Sequence, residues 1–208
     1  MGTSWLLMEL NIHFLAQSFG AVVSIGICAA GVMGLPLVIS DYRHKKILKR
    51  FKVTPISPAL LLIVQVAINA LMSIVSLVLV YIVAVIFFNY QMYGSWLSFI
   101  GAYFLVMISI YSIGMMVAGV ASNIKIANLL CCVLYFPMLI FSGATLPYEI
   151  MPTSLQRISD ILPLTQGIKL LKATSLGLPI HASLSSIIIM VSIMVVCVSV
   201  SIRFFRWE

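Results

Sequence analysis

Few side chains in this sequence could do chemistry, and those few do not gather. His13, His44 and His181 are scattered and form no ligand pair. Cys28, Cys131, Cys132 and Cys197 all fall in apolar stretches, without the C-x-x-C spacing of a metal or redox site, and are expected to be small packing residues. There is no glycine-rich phosphate loop and no nucleophile elbow. No Asp, Glu, Lys or Arg occurs between Lys52 and Lys125. Ion-coupled carriers place carboxylates or histidines within the membrane as relays, so this gap argues against a proton- or sodium-driven carrier. An intramembrane enzyme would need a polar cluster that is likewise missing. Catalytic, cofactor-binding and metal-binding roles are therefore expected of no residue in this chain.

Three other patterns carry information. Gln65, Asn69, Ser73 and Ser76 follow i, i+4, i+8, i+11 and share one helix face. Amides buried in lipid need partners, so the stripe either bonds to neighbouring helices or lines a translocation path. Gly26, Ala30 and Gly34 make two successive small-xxx-small steps, a candidate packing face. The stretch Asp41–Pro58 is basic: it holds Arg43, Lys45, Lys46, Lys49, Arg50 and Lys52, half of the 12 Lys and Arg. It is expected to be helical and to end in a turn at Thr54-Pro55. Ile47, Leu48 and Phe51 give it an apolar face for a partner or for the membrane interface.

The elements that position these residues follow from composition. The chain has 208 residues, 62% hydrophobic and 8% charged, with a mean hydropathy of +1.19. A soluble domain carries about 25% charged residues, so the solvent here is the bilayer. At roughly 20 residues per span, five spans are expected, at about 15–40, 59–88, 96–120, 127–141 and 184–202. The second is longer than a bilayer requires and is expected to tilt or to extend beyond it. If the basic stretch is cytoplasmic, Lys125, Arg203 and Arg206 fall on its side, leaving Arg157, Lys169 and Lys172 outside. This positive-inside bias puts the C-terminus inside and the N-terminus outside. Trp96 and Trp207 suit the interfacial belts. Nucleic-acid binding by the basic cluster is disfavoured, because both its flanks are long apolar segments.

Residues 142–183 form neither a span nor an ordinary loop. Pro147, Pro152, Pro163 and Pro179 break them into pieces. Thr153-Ser154-Leu155-Gln156 has capping-box spacing for a short helix, and 167–175 is a second amphipathic piece bearing Lys169 and Lys172. Such pieces lie in the interface or dip in as re-entrant elements. Residues 1–14 are too short to span and carry no signal for export, so an upstream helix is expected to be missing.

Two motifs, about 90 residues apart and in order, bring a resemblance. Gly34-Leu35-Pro36-Leu37-Val38 followed by Ile47-Leu48-Lys49-Arg50-Phe51-Lys52-Val53-Thr54-Pro55-Ile56-Ser57 resembles the first cytoplasmic loop of ABC-2 type permeases, the membrane subunits of ABC exporters of the daunorubicin-resistance kind. Phe141-Ser142-Gly143, Pro147, Met151-Pro152, Leu155-Gln156, Ile158-Ser159 and Leu162-Pro163-Leu164-Thr165 resemble the signature before that family's last span. The likeness runs from about Phe14 onward. It departs where the family commonly has acidic residues near Tyr42 and His44 and a glycine at the place of Lys46; only Asp41 is acidic here.

The resemblance implies an all-α integral membrane fold, a six-helix permease lacking its first helix. It makes 41–58 a coupling helix docked on an ATP-binding subunit, and it places Ser142, Gly143, Pro147, Pro152 and Pro163 in outer re-entrant pieces. ATP and Mg2+ would sit on that partner. The chain would pair with itself or with a sibling permease in the cell membrane, among lipids, and export a hydrophobic or amphipathic substrate such as a drug, antibiotic or lipid. The alternatives are a non-transporting scaffold or immunity-type protein, or an inactive truncated permease.

Overall fold

A computed structural model of the chain describes residues 2–45, 58–145 and 152–204. Among these the structure is entirely helical: α1 (Gly2–Cys28), a π-helical segment (Ala29–Gly34), α2 (Leu35–His44), α3 (Pro58–Phe88), α4 (Trp96–Val120), α5 (Ile124–Phe141), α6 (Thr153–Ser159), α7 (Pro163–Ser175) and α8 (Ile180–Phe204). Helices suit this composition because they satisfy their own backbone where no water can. Five stretches are long and apolar enough to cross a membrane: Phe14–His44, Leu60–Phe88, Trp96–Val120, Ile124–Phe141 and Ser183–Arg203. At 31 residues, α3 is about 46 Å long, well beyond the ~30 Å of a hydrocarbon core.

Three boundaries differ from expectation. The first helix starts at Gly2 rather than near residue 15, so the expected N-terminal tail continues the span as helix. At its other end α2 runs past residue 40, where the span was expected to stop, to His44, which carries Asp41 and Arg43 on the last helical turns. The capping box at 153–156 is displaced: the N-cap of α6 is Pro152, which supplies no side-chain cap, and Thr153 lies one residue inside the helix.

The third span, α4, is the hub. It packs against α8, α7, α1, the π-helical segment, α2 and α5. Of its apolar window 61% is buried, against 6% for the second span, which leaves most of α3 facing outward. Hydroxyls bind the hub to the last span: Ser109 Oγ donates to the Met190 carbonyl at 2.8 Å and Ser201 Oγ to that of Met115 at 3.2 Å. Helix α7, expected in the interface or as a re-entrant piece, is buried in the bundle. Its Leu164, Ile168, Leu170 and Leu171 join Phe19, Val106 and Met190 in one core.

These contacts set the two ends of the bundle. Arg43, Lys45, Lys125 and Arg203 lie at one end; Arg157, Lys169 and Lys172 lie at the other. The second end carries an aromatic cluster. Phe19 stacks on Tyr90 at 4.9 Å and on Phe99 at 5.9 Å, and the half-exposed Trp96 meets Tyr81 edge-on at 5.1 Å. Burial pushes the Tyr90 phenol above its ordinary pKa.

Two spans approach each other closely at a pair of glycines. A Cβ on Gly114 of α4 would stand 2.0 Å from the Gly31 carbonyl oxygen, and one on Gly31 would stand 2.6 Å from the Tyr111 ring. Gly31 lies within the π-helical segment, where the widened turn shifts the helix register. Gly114→Ala should therefore push two backbones apart and cost roughly 1–3 kcal/mol, as overpacking does. Gly101, on the same helix with nothing within 4 Å of its Cβ position, should accept alanine without loss, with up to ~1 kcal/mol of helix propensity in its favour. Unfolding in mixed detergent measures both; equal behaviour of the two variants would refute the crossing.

Candidate functional site

The basic stretch leaves the bundle from a root held on two sides. At the end of α2 the Arg43 guanidinium donates through Nη1 to the Ala121 carbonyl at 2.5 Å and through Nη2 to that of Ala118 at 3.0 Å. Those carbonyls belong to the last turn and C-cap of α4, where helix carbonyls lack intrahelical partners and the dipole favours a cation. A fixed fork of donors meets this geometry better than a point charge does. Next to it, Tyr42 OH donates to Gln65 Oε1 on α3 at 3.2 Å. Lys45 pairs with Asp41 at 2.7 Å, one turn back and largely exposed, which contributes little to stability.

Ser40, Arg43 and His44 line a cavity of about 180 Å³ with Ser122 and Asn123. Asn123 in turn caps α5, its Oδ1 accepting from the Ile126 amide at 2.9 Å. Lys46, Leu48, Lys49, Arg50, Phe51, Lys52, Thr54 and Pro55 lie outside the described residues.

The polar stripe of α3 is turned toward the first span and the hub. Gln65 takes the Tyr42 hydroxyl, and Asn69 Nδ2 donates to the Gln65 carbonyl at 2.9 Å. Ser73 Oγ and Tyr111 OH share a buried hydrogen bond of 2.7 Å. The small residues of the first span face the same stripe: a Cβ on Gly34 would lie 3.2 Å from Asn69 Oδ1, and one on Gly26 would lie 3.4 Å from Ser76 Oγ. Ala30 is half-buried between them. Sequence reasoning treated the stripe and the small residues separately, and the structure brings them together within one chain. It missed Gly31, Tyr111 and the role of Arg43.

At the other end, Ser142 closes α5. Its Oγ donates to the Leu139 carbonyl at 3.1 Å and accepts from the Ala144 amide at 3.3 Å. Gly143 stands at φ 78°, a conformation that glycine adopts at no steric cost. Pro152 and Pro163 open α6 and α7 as N-cap and first-turn residue; Pro147 lies outside the described residues. The elbow between the two helices is bound by Ser159 Oγ to Thr165 Oγ1 at 3.2 Å, by Gln166 Nε2 to the Asp160 carbonyl at 2.5 Å, and by Ser186 Oγ to Gln166 Oε1 at 2.7 Å. The loop after α3 caps α7, the Tyr93 and Gly94 amides both donating to the Ser175 carbonyl at 3.1 and 3.0 Å. Among the described residues no three His, Cys, Asp or Glu side chains gather as a metal site.

Residues 1–176 match the protein family described as ABC-2 type transporter. Among curated proteins the chain is similar to Nodulation protein J of Rhizobium leguminosarum bv. viciae, 36% identical over 69 residues. That alignment covers 33% of this chain and 27% of the relative. No solved structure matches the chain.

Arg43→Gln should remove the charge and one arm of the fork from the α4 terminus. The expected loss is about 1–3 kcal/mol, typical of hydrogen bonds from a charged donor. Lys45→Gln, at the exposed pair, should lose under about 0.5 kcal/mol. Hydrogen exchange of the amides around 118–123, with unfolding in detergent, reads both. Unchanged exchange in Arg43→Gln would remove the anchor.

Proposed function

The chain belongs to the ABC-2 type transporter family, and on that premise we propose that it is the permease subunit of an ATP-driven exporter. It is a multi-pass membrane protein and a transport component. Members of this family typically work with an ATP-binding subunit. In the proposal that subunit holds ATP and Mg2+, docks on the segment 41–58, and faces the cytoplasm together with the C-terminus. A second permease, identical or a sibling, completes the pathway. The cargo is hydrophobic or amphipathic and moves outward.

The observation that supports the reading best is the anchored root of the basic segment. In α3, α4, α5 and α8 the described residues include no carboxylate, and a permease of that kind receives work mechanically in this reading, through an element fixed to the bundle. Arg43 fixes this segment to the hub helix and Tyr42 fixes it to the second span. The uneven charge of the two ends supports the orientation. By the sequence reading nine Lys and Arg fall on the side of the basic stretch, five of them outside the described residues, and three on the other; the side richer in these residues is the cytoplasmic one.

Two experiments test the proposal. Phe51→Asp puts a charge into the apolar face of the segment. It should leave insertion and folding intact while recovery of the co-expressed ATP-binding subunit in pull-down falls roughly tenfold or more, as for loss of an interface anchor, with export falling alongside. Normal pull-down and normal export would leave the segment a charged tether. For orientation, Lys46→Cys on a cysteine-free background should resist an impermeant thiol reagent in intact cells and react after lysis. Labelling without lysis would invert the topology.

A further inference from the structure

Helix α7 sends one face into the core and the other onto a crevice. Its Gln166, Lys169 and Lys172 line a cavity of about 480 Å³, faced across by Ser183, Ser185 and Ser186 at the start of the last span. Two ammonium groups and the Asp160 carboxylate border this space. Lys169 Nζ lies 2.5 Å from Asp160 Oδ1, so its charge is matched.

Lys172 is different. It donates to the neutral Gln17 Oε1 at 2.6 Å, and it forms no ion pair with a carboxylate among the described residues. A half-buried ammonium on a neutral acceptor gains from an anion placed at its remaining donors. The C-terminus of its own helix supplies little, because the carbonyls there are already engaged. The Ser175 carbonyl takes the Tyr93 and Gly94 amides, and the Lys172 carbonyl takes the Leu176 amide and the Ser175 hydroxyl. An ammonium has three donors, and Gln17 uses one. Lys172 borders both the large cavity and a smaller one of about 80 Å³ beside Gln17.

The crevice adds further donors. The Ser186 hydroxyl is committed to Gln166, whereas Ser185 is exposed at the rim. Apolar surface continues beside it: Leu178 lines the cavity, and Leu184, Ile188 and Val195 are exposed along the last span. A site with one ammonium in excess of its carboxylate, hydroxyls and an adjoining apolar track suits an amphipathic anion. We propose that this crevice binds the phosphate of an anionic membrane lipid, with Lys172 as its counter-charge and the acyl chains lying along α8. The proposal is independent of the exporter reading.

The test uses the full chain purified in detergent, titrated with phosphatidylglycerol or phosphatidylcholine and weighed by native mass spectrometry. Wild type should retain phosphatidylglycerol in preference to phosphatidylcholine. Lys172→Gln should weaken that retention about tenfold, the usual effect of losing a charge-assisted hydrogen bond. Ser185→Asp, at an exposed position where folding is not at issue, should do the same by setting a carboxylate in the crevice. Lys172→Arg should retain the lipid. Lys45→Gln, an exposed lysine at the opposite end, should change little.

Excess inorganic phosphate separates the two sources of the anion. Retention that survives it assigns the site to lipid; displacement of phosphatidylglycerol by it overturns the lipid assignment in favour of a soluble phosphate. Equal retention by wild type, Lys172→Gln and Ser185→Asp overturns the site.

Discussion

In hydrocarbon no water is at hand to satisfy an amide, so every backbone N–H and C=O at membrane depth needs a partner within the protein. That constraint accounts for the long uninterrupted helices, and also for where helices are allowed to end. Among the described residues, three helix ends have exposed groups taken up by something specific. The end of α4 is met by Arg43, the end of α5 by the hydroxyls of Ser142 and Thr145, and the end of α7 by the amides of Tyr93 and Gly94. The short helices α6 and α7 persist beside the spans on the same terms, because side chains of their own elbow and of α8 bind them.

A second consequence concerns close approach. Between helices in a membrane there is little hydrophobic gain, since lipid is as apolar as leucine, and association relies on packing and on hydrogen bonds. The first span supplies both. Its glycines let α4 and α3 come near, and the polar residues of α3 find Tyr42, Tyr111 and the helix backbone as partners. This leaves the outer faces of α3, α5 and α8 as plain apolar surface, with Leu71, Met72, Leu129, Val133 and Ile188 exposed. A bilayer or a second permease covers such a surface at no desolvation cost.

The legible parts of this structure were those whose signal is local. The five spans follow from runs of apolar residues, and the stripe at Gln65, Asn69, Ser73 and Ser76 follows from helical spacing, so both were open to reading. Arg43 was not, because its acceptors are backbone carbonyls 75 and 78 residues away, and a carbonyl leaves no mark in the sequence. Gly31 was hidden among Ala29, Ala30 and Gly34. Which of these meets α4 depends on the π turn, and regular 3.6-residue spacing does not anticipate it. Lys169 and Lys172 opposite an apolar face fit an interfacial helix as well as one half-buried against a polar crevice. Tertiary packing alone separates the two.

The two ends of the molecule are joined by a short series of contacts through the hub. At the basic end Arg43 fastens α2 to the terminus of α4. Midway, Ser109 of α4 donates to the backbone of α8 at Met190. One turn back along α8, Ser186 holds Gln166 of α7, which in turn binds the Asp160 carbonyl at the elbow. Packed helices resist compression and shift as units rather than deform smoothly. A force applied to the segment beyond Lys45 is therefore borne first by α2 and the end of α4. The outer members of the bundle are the less enclosed ones, with 6% of the apolar stretch buried for α3 and 17% for α5 and for α8, while α7 is buried along most of its length. Helix α8 packs along α4 and is bonded to it through Ser109 and Ser201, so a shift of α4 is passed to α8 and to the wall of the crevice that Ser183, Ser185 and Ser186 form.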